Sequence, residues 1–530
     1  MIRIKDLIIP LTYDLKMLSD IVATRLHIAN SRIEDISIAE RSVNVRDKQD
    51  IHFNMTVIVR VSGDENEIIL MAKDKCVSKE TALIYTVTKD KKLKERPVVV
   101  GCGPAGMFAA LILAQAGAKP ILLERGLDVD SRRQKVSRFW QTGILDTQTN
   151  VQFGEGGAGT FSDGKLKTGL KDARKMKVLN TFVEAGAPPE ILFLSKPHIG
   201  TDHLSRTVKG IRERIISLGG EVRFGAKVTE ILLNDGQVTG VRFVEEGKCA
   251  ELSTENVVLA IGHSARDTFE SLLNSGIHME QKPFAMGVRI EHSQELINKI
   301  QYGDFAGHPA LGAADYRMVV HLENGRGVYT FCMCPGGTVV AATSEENALV
   351  MNGMSEYARD GRNANTALLV TVEKKDFGSD HPLAGVRLQR SVESAAFAAG
   401  GGGYKAPVQR LEDFLQNRKT LAFGDVMPTY KPGTEFAEID SYLPYYISDS
   451  LRQGIIEMGA WMPGFADPDA ILTGAETRSS SPVRMTRGES LEAIGIKGLY
   501  PCGEGAGYAG GIISAAVDGL LCAEQILEKE

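Results

Sequence analysis

Two glycine-rich stretches, far apart in the 530-residue chain, have residue types and spacing that suit a phosphorylated dinucleotide. The first is Pro97-Val-Val-Val-Gly101-Cys-Gly103-Pro104-Ala105-Gly106, followed by an apolar run and then Ile121-Leu-Leu-Glu124. Val98 to Val100 reads as a buried parallel strand. Gly101 suits a tight turn, Gly103 lets backbone approach a pyrophosphate, and Gly106 lets the next helix pack closely on the strand. That helix runs through Met107, Ala110, Leu111 and Ala114 to a stop at Gly117, and its N-terminus offers free N–H groups to phosphate. Glu124 ends the next strand about twenty residues after the glycines, where a carboxylate accepts ribose hydroxyls and disfavours a 2′-phosphate. The second stretch, Gly498 to Gly511, opens a helix through Ile512, Ser514, Ala515 and Asp518. At this point the dinucleotide is either NAD or FAD.

Other residues are candidates for contact or catalysis. Gly154, Gly156, Gly157 and Gly159 crowd one loop that continues to Asp163 and Lys165. Such a loop suits backbone contact with phosphate or a ring edge, while Asp163 and Lys165 either act on a ligand or pair with each other. Arg478, Arg484 and Arg487 flank Ser479-Ser480-Ser481-Pro482, and arginine forks suit planar carboxylates. The alternative for them is ion pairing within the protein. Arg289 and Glu291 alternate onto one strand face and are expected to pair; His292 is a proton-donor candidate set against a structural histidine. Cys332 and Cys334 would share a strand face, a spacing poor for zinc and strained for a disulfide. Cys102 reads as a packing residue, and His263 follows the Gly262 turn. Catalytic residues are thus unassigned, with His292, Arg289, Arg484 and Lys165 as candidates; no metal site is expected.

The elements that must position these residues follow from pattern and length. The chain is too long for one core, and glycine, at 55 residues, exceeds its usual share of about 7 %. Ile2–Ile9 reads as a strand, Leu15, Leu18, Val22 and Leu26 as one helix face, and 53–61 as a period-two strand, with Ile36 and Ile38 alternating between them. This gives a small N-terminal α+β domain over 1–92, joined through a basic linker at 89–96. A discontinuous Rossmann-like domain is expected over 97–280 and 470–530, with a helix at 203–218. The mixed α+β insert at 281–469, with strands at 317–322, 328–332 and 338–343, would form a substrate wall. The class is α/β. No second complete strand–glycine loop–helix–acid unit is found, and Gly400 to Gly403 lacks a following helix pattern. A net charge of −6 argues against general nucleic-acid affinity. Charged residues interrupt the first apolar run, so no signal peptide is expected; the apolar stretch 105–118 is too short to span a bilayer. Seven unevenly spaced cysteines suit a reducing, cytoplasmic setting.

The sequence resembles the glutathione-reductase-like flavoprotein superfamily. Glu221 to Ile231 with Val238 to Phe243 is similar to its β-hairpin arm, and Asn256 to Ser264 to its second strand-and-glycine signature. Gly498 to Gly511 resembles its C-terminal flavin motif, with Glu504 where Asp is usual. The runs Phe153 to Leu166, Pro283 to His292, Cys332 to Gly337 and Ser480 to Arg484 are similar to a bacterial family of FAD-dependent dehydrogenases, NAD(P)/FAD-dependent oxidoreductases. The resemblance implies FAD held by Gly101, Gly103, Pro104, Ala105, Gly106, Glu124, Arg125, Gly156, Gly157, Ala158, Gly159, Val228, Ala260, Gly262, Gly503, Glu504, Gly510, Gly511 and Ile512. It implies an oxidoreductase passing a hydride between flavin N5 and a small-molecule substrate, an anion being one option, with NAD(P)H docking at most transiently. The alternatives are an RNA-modifying flavoprotein and a non-catalytic FAD-binding regulator.

Overall fold

The computed structural model describes residues 1–81, 85–87 and 93–529. Its centre is a five-stranded parallel sheet in the order Leu499–Pro501, Val257–Leu259, Val98–Val100, Ile121–Glu124, Glu221–Phe224. Val98 to Val100 are buried on both faces, as expected for a parallel strand with helices on either side. The helix Pro104–Gln115 starts on a proline at its first turn, where the missing N–H costs nothing. Ala105 to Ala114 are buried all round it, because the C-terminal helix Ile512–Glu528 packs directly against it. That approach is so close that a Cβ on Gly519 would overlap the Ala105 carbonyl oxygen.

A four-stranded antiparallel sheet occupies the N-terminal region, in the order Ile33–Asn44, His52–Val61, Ile2–Pro10, Val77–Lys79. The predicted strand–helix–strand–strand order continues with the helix Glu65–Ala72 and the strand Val77–Lys79, both too short to stand out by pattern. The outer strand of this sheet meets the rest of the chain at Arg41, whose N–H donates to the Phe193 carbonyl (2.7 Å) and whose carbonyl accepts from Ser195 N–H (3.0 Å). Part of the expected linker, 89–92, lies outside the described residues. Tyr85, Val87 and Leu93 pack against the helices of the parallel sheet, with the Tyr85 hydroxyl donating to Glu524 (2.6 Å).

The third layer is a seven-stranded sheet in the order Val319–His321, Gly327–Cys334, Asn363–Val372, Phe284–Ser293, Ile471–Glu476, Ala406–Arg410, Thr434–Phe436. Its central strands, Phe284–Ser293 and Asn363–Val372, are buried almost throughout, polar residues such as Arg289, Glu291 and Asn365 included. The helix Tyr445–Trp461 crosses four of the strands. Chain leaves the parallel-sheet region and returns to it through one short antiparallel ribbon, Met279–Gln281 against Val483–Met485.

Two expected boundaries move. The strand Ile471–Glu476, assigned by sequence to the dinucleotide domain, pairs within the seven-stranded sheet. The expected hairpin arm from Glu221 is split by Gly225, in the left-handed region at φ +67°. Glu221–Phe224 joins the parallel sheet, and Ala226–Asn234 begins a separate meander with Gln237–Glu245 and Lys248–Ser253. No helix among the described residues is long and apolar enough to cross a membrane.

Candidate functional site

One cavity of about 860 Å³ opens between the parallel sheet and the seven-stranded sheet. Its first end is built from backbone. Gly101 turns at φ +100°, and a Cβ there would overlap the Ala260 carbonyl. A Cβ on Gly106 would overlap the Gly101 carbonyl oxygen, so this glycine sets the contact between helix and strand end. Gly157 packs back to back on Gly103, its added Cβ reaching the Gly103 Cα at 3.0 Å. The floor is bare at Gly103, Gly262 and Gly510, where an added Cβ would meet no protein atom closer than 3.9 Å. A ligand that needs backbone to approach it closely fits this floor.

Glu124 ties these loops together. Its buried carboxylate accepts from the N–H groups of Cys102 (2.7 Å), Gly126 (2.9 Å) and Gly154 (2.9 Å) while still lining the cavity. Arg132 does the corresponding work for the 150–157 loop. It is fully buried and donates to the carbonyls of Asn150, Val151, Glu155 and Gly157, at 2.6–2.9 Å. Sequence reasoning missed it, because its partners lie 18 to 25 residues away in an aperiodic loop. Arg125 stacks on Phe153 (4.3 Å) and pairs with Asp267 (2.7 Å).

At the second glycine stretch, Asp518 on the C-terminal helix accepts from Gly503 N–H (2.7 Å) and takes both arms of Arg487. Gly511 caps that helix and its N–H donates to Ser514 Oγ (3.1 Å), so the N-terminus of the helix faces the cavity at Gly511 and Ile512. Glu504 lines the same wall, and loss of solvation pushes its carboxyl up to about 7, against a partial opposing effect of Lys282. Every residue expected to hold the cofactor lines the cavity except Gly106 and Gly156, which shape the loops behind it.

The opposite wall is made of side chains. Tyr329, Phe331 and Cys332 come from one strand of the seven-stranded sheet, Met351 and Asn352 from a short ribbon, and Glu476 from a further strand. Lys165, Lys167, Lys196, Arg317 and Arg359 add positive charge. Lys196 pairs with Asp315 (2.6 Å), and Arg359 grips Asp163 through two bonds (2.9 and 2.5 Å). Despite burial, which raises it, Lys165 and Arg359 hold Asp163 down to about 2. Lys167 and Arg317 have no ion-pair partner among the described residues.

The candidates for catalysis separate. Lys165 is on the cavity, 3.2 Å from Asp163. Arg289 lies behind it, fully buried, with both arms on Glu476 (2.6 and 2.8 Å) and a third bond to Asn365 (2.8 Å). Its expected partner Glu291 instead accepts from Thr429 and Asn363. His292 is off the cavity. It is buried in the core, with Nε2 2.7 Å from the Phe465 carbonyl and its ring tilted over Phe465. Arg484 is also off the cavity, exposed and lying over Tyr508. Of the serine-flanking arginines, Arg484 and Arg487 share the Tyr508 ring, at 5.4 and 3.9 Å, and Arg478 is bound elsewhere. Arg487 binds Asp518, while Arg478 joins a buried triad with Glu393 and Arg266. His263 does reach the cavity, its Nε2 2.9 Å from the Arg478 carbonyl, and burial lowers its pKa to about 4.

The strand carrying the two close cysteines is not regular. Its pairing slips between Phe331 and Cys334, and Cys332 sits in the left-handed region at φ +45°. A bulge of this kind re-aims side chains beside a site.

Residues 283–479 match the family model for "FAD-dependent protein, C-terminal domain-like". An "Uncharacterized protein" of Clostridium beijerinckii (strain ATCC 51743 / NCIMB 8052) is 51 % identical over 531 residues, covering 100 % of this chain and 99 % of its own. The "NADH:fumarate oxidoreductase" of Klebsiella pneumoniae (strain 342) is 27 % identical over 190 residues, 31 % of this chain and 20 % of that protein. Among solved structures, a triple mutant of the flavin-dependent brominase Bmp2 aligns at 12 % identity and TM-score 0.38, covering 82 % of this chain and 81 % of that one. A geranylgeranyl bacteriochlorophyll reductase-like protein from Thermoplasma acidophilum aligns at 11 % identity and TM-score 0.34, covering 81 % and 77 %. The chain belongs to the family of the Clostridium beijerinckii protein, carries the C-terminal domain of FAD-dependent proteins, and uses FAD as its cofactor.

Proposed function

We propose that the protein is an FAD-dependent oxidoreductase of the glutathione-reductase-like superfamily, passing a hydride between flavin N5 and a small anionic substrate. The observation that carries this reading is the asymmetry of the cavity between the two sheets, glycine backbone at one end and cationic side chains at the other. Bound there, FAD supplies two-electron hydride chemistry. The residues of the chain supply position and charge.

The bare backbone at Gly103 and the N-terminus of Pro104–Gln115 receive the pyrophosphate. Glu124 accepts a ribose hydroxyl through lone pairs its three N–H donors leave unused. The N-terminus of Ile512–Glu528 stabilises negative charge on the ring. On the far wall, Lys165, Lys167 and Arg317 hold the anionic group of the substrate. The division into units follows the sheets: the N-terminal region to about 81, the parallel-sheet region from 97 to 281 and from 483 on, and the intervening seven-stranded region as the substrate wall. NAD(P)H, where it serves as donor, docks at this same cavity.

Anaerobic titration of the FAD-loaded protein tests the reading. NADH, NADPH and small carboxylate donors are added separately while the flavin bands are followed. Bleaching by any of them supports a two-electron oxidoreductase. Bands that persist against all of them overturn the hydride reading and favour a non-catalytic role.

A further inference from the structure

We propose that Cys332 and Cys334 form a dithiol–disulfide pair on the cavity wall, a second redox centre that exchanges two electrons with the flavin. Three observations carry it, none of which involves the cofactor loops.

The first is the backbone. In a regular strand, Cα atoms two residues apart are held about 6.7 Å from each other, at the far limit for a disulfide. Here the pairing slips between Phe331 and Cys334, so the stretch from Cys332 to Cys334 is not held at the regular strand spacing. The Cys334 side chain already folds back, its Sγ 3.3 Å from the Cys332 carbonyl oxygen. Arg289, itself locked on Glu476, donates to the same carbonyl (3.3 Å) and holds the bulge from behind.

The second is exposure. Cys332 lines the cavity and is half-buried, whereas Cys334 lies fully buried beneath it. A nucleophilic thiol with access and a shielded resolving partner is the usual arrangement of a working pair. The third is charge. The Lys165 ammonium, 3.2 Å from Asp163, has no hydrogen-bond partner of good geometry among the described residues; burial lowers its pKa, but Asp163 and then both cysteines raise it above its ordinary value. The Cys334 thiol, hydrogen-bonded to Cys332, pulls the Cys332 thiol below its ordinary value; burial opposes this, and Lys165 and Arg289 reinforce it. Cys334 is pushed the other way.

The step balances within the holoenzyme. Each thiol gives up one hydrogen, the two sulfurs join, and the two electrons and two protons pass to the oxidised flavin. The reverse step reduces the disulfide and returns the flavin to its oxidised form. No external oxidant is needed. Both readouts below are independent of any substrate, so the pair stands or falls apart from the proposed reaction.

The test uses the full-length FAD-loaded protein. After equilibration with oxidised dithiothreitol and alkylation, peptide mapping is expected to find Cys332 joined to Cys334, with the exposed Cys249 alkylated. Anaerobic dithionite titration is then expected to consume twice as much reductant in the wild type as in Cys332→Ser before the flavin is fully bleached. Cys334→Ala gives the same comparison should Cys332→Ser fail to fold. No 332–334 linkage, or equal consumption by wild type and a folded variant, overturns the proposal.

Discussion

The two ends of the cavity are built by opposite strategies. At the glycine end the chain presents main chain, Arg132 and Asp518 point into the protein to fix loops, and Glu124 ties loops together from the cavity edge. At the far end the main chain is buried in the seven-stranded sheet, and side chains such as Lys165, Arg317 and Glu476 face the space. Backbone can approach phosphate closely and is the same for every sequence that folds. Side-chain walls can be changed without rebuilding the loops. Under the proposed function, the difference assigns cofactor recognition to the first end and choice of substrate to the second.

The seam between the ends is the sharpest place to break this arrangement. Glu393, from the helix Ala384–Ala399, is fully buried between Arg266 and Arg478, with four bonds of 2.7–3.0 Å to them. Glu393→Ala leaves two buried guanidinium groups with only the less buried Glu345, 2.6 Å from Arg266 and 3.8 Å from Arg478, as counter-charge, and is expected to cost about 3 kcal/mol, read by urea unfolding. Burial raises the Glu393 pKa, but the two arginines hold it far below the carboxylate range. Its stabilisation is therefore present above about pH 4.5 and is lost as pH falls toward the folded-state value. The wild type should lose stability over that acid range more steeply than Glu393→Gln.

A pair of glycine substitutions separates fold from cofactor at the first end. Gly106→Ala places a methyl into the Gly101 carbonyl, an overpacking expected to cost about 1–3 kcal/mol. Gly103→Ala meets no protein atom closer than 3.9 Å, so unfolding should shift by less than about 0.5 kcal/mol. FAD affinity should nevertheless fall at least tenfold, or about 1.4 kcal/mol, measured by fluorescence titration of the FAD-free protein. Equal FAD affinity in Gly103→Ala would mean that the pyrophosphate does not lie over this glycine.

These glycines were legible because their signal is local: strand, turn, helix and acid fall within one short segment. The N-terminal strands and the helix Thr201–Ser217 were legible through periodicity for the same reason. The arginines were not. Arg478, Arg484 and Arg487 look equivalent in sequence, yet the first finds Glu393 across 85 residues, the last finds Asp518 across 31, and Arg484 lies exposed over Tyr508. His292 looked available in an apolar strand and is enclosed beside Phe465. Lys167 comes from an aperiodic segment and Arg317 from the start of the expected strand 317–322, which in the structure spans only Val319–His321, and only the fold brings them to one face. Local chemistry is readable from spacing, whereas partners chosen across sheets are not.

The far wall gives the next comparison. Lys165→Met and Arg317→Ala are each expected to weaken binding of malonate or inorganic phosphate several-fold, about 1 kcal/mol for one charged contact, read from perturbation of the flavin spectrum. Arg484→Ala should leave it unchanged. A loss with Arg484→Ala alone would move the anion to the outer ribbon and reverse the assignment of the two ends.

The smallest expected effect lies where the ends meet, at Glu504. Its folded-state pKa of about 7 lies above the ordinary 4.5 because the charged form loses solvation. The folded chain therefore holds this proton more tightly than the unfolded chain does. The favourable contribution is full below about pH 4.5 and is lost as pH rises through about 7. Glu504→Gln cannot ionise, so the FAD-free variant should gain Tm relative to wild type across that window and run parallel to it at higher pH. In the FAD-loaded protein the wild-type dependence should change, because a ribityl hydroxyl donating to the carboxylate favours its charged form. An identical pH profile with and without FAD would place the ribityl chain away from Glu504, leaving this carboxylate to the substrate end of the cavity.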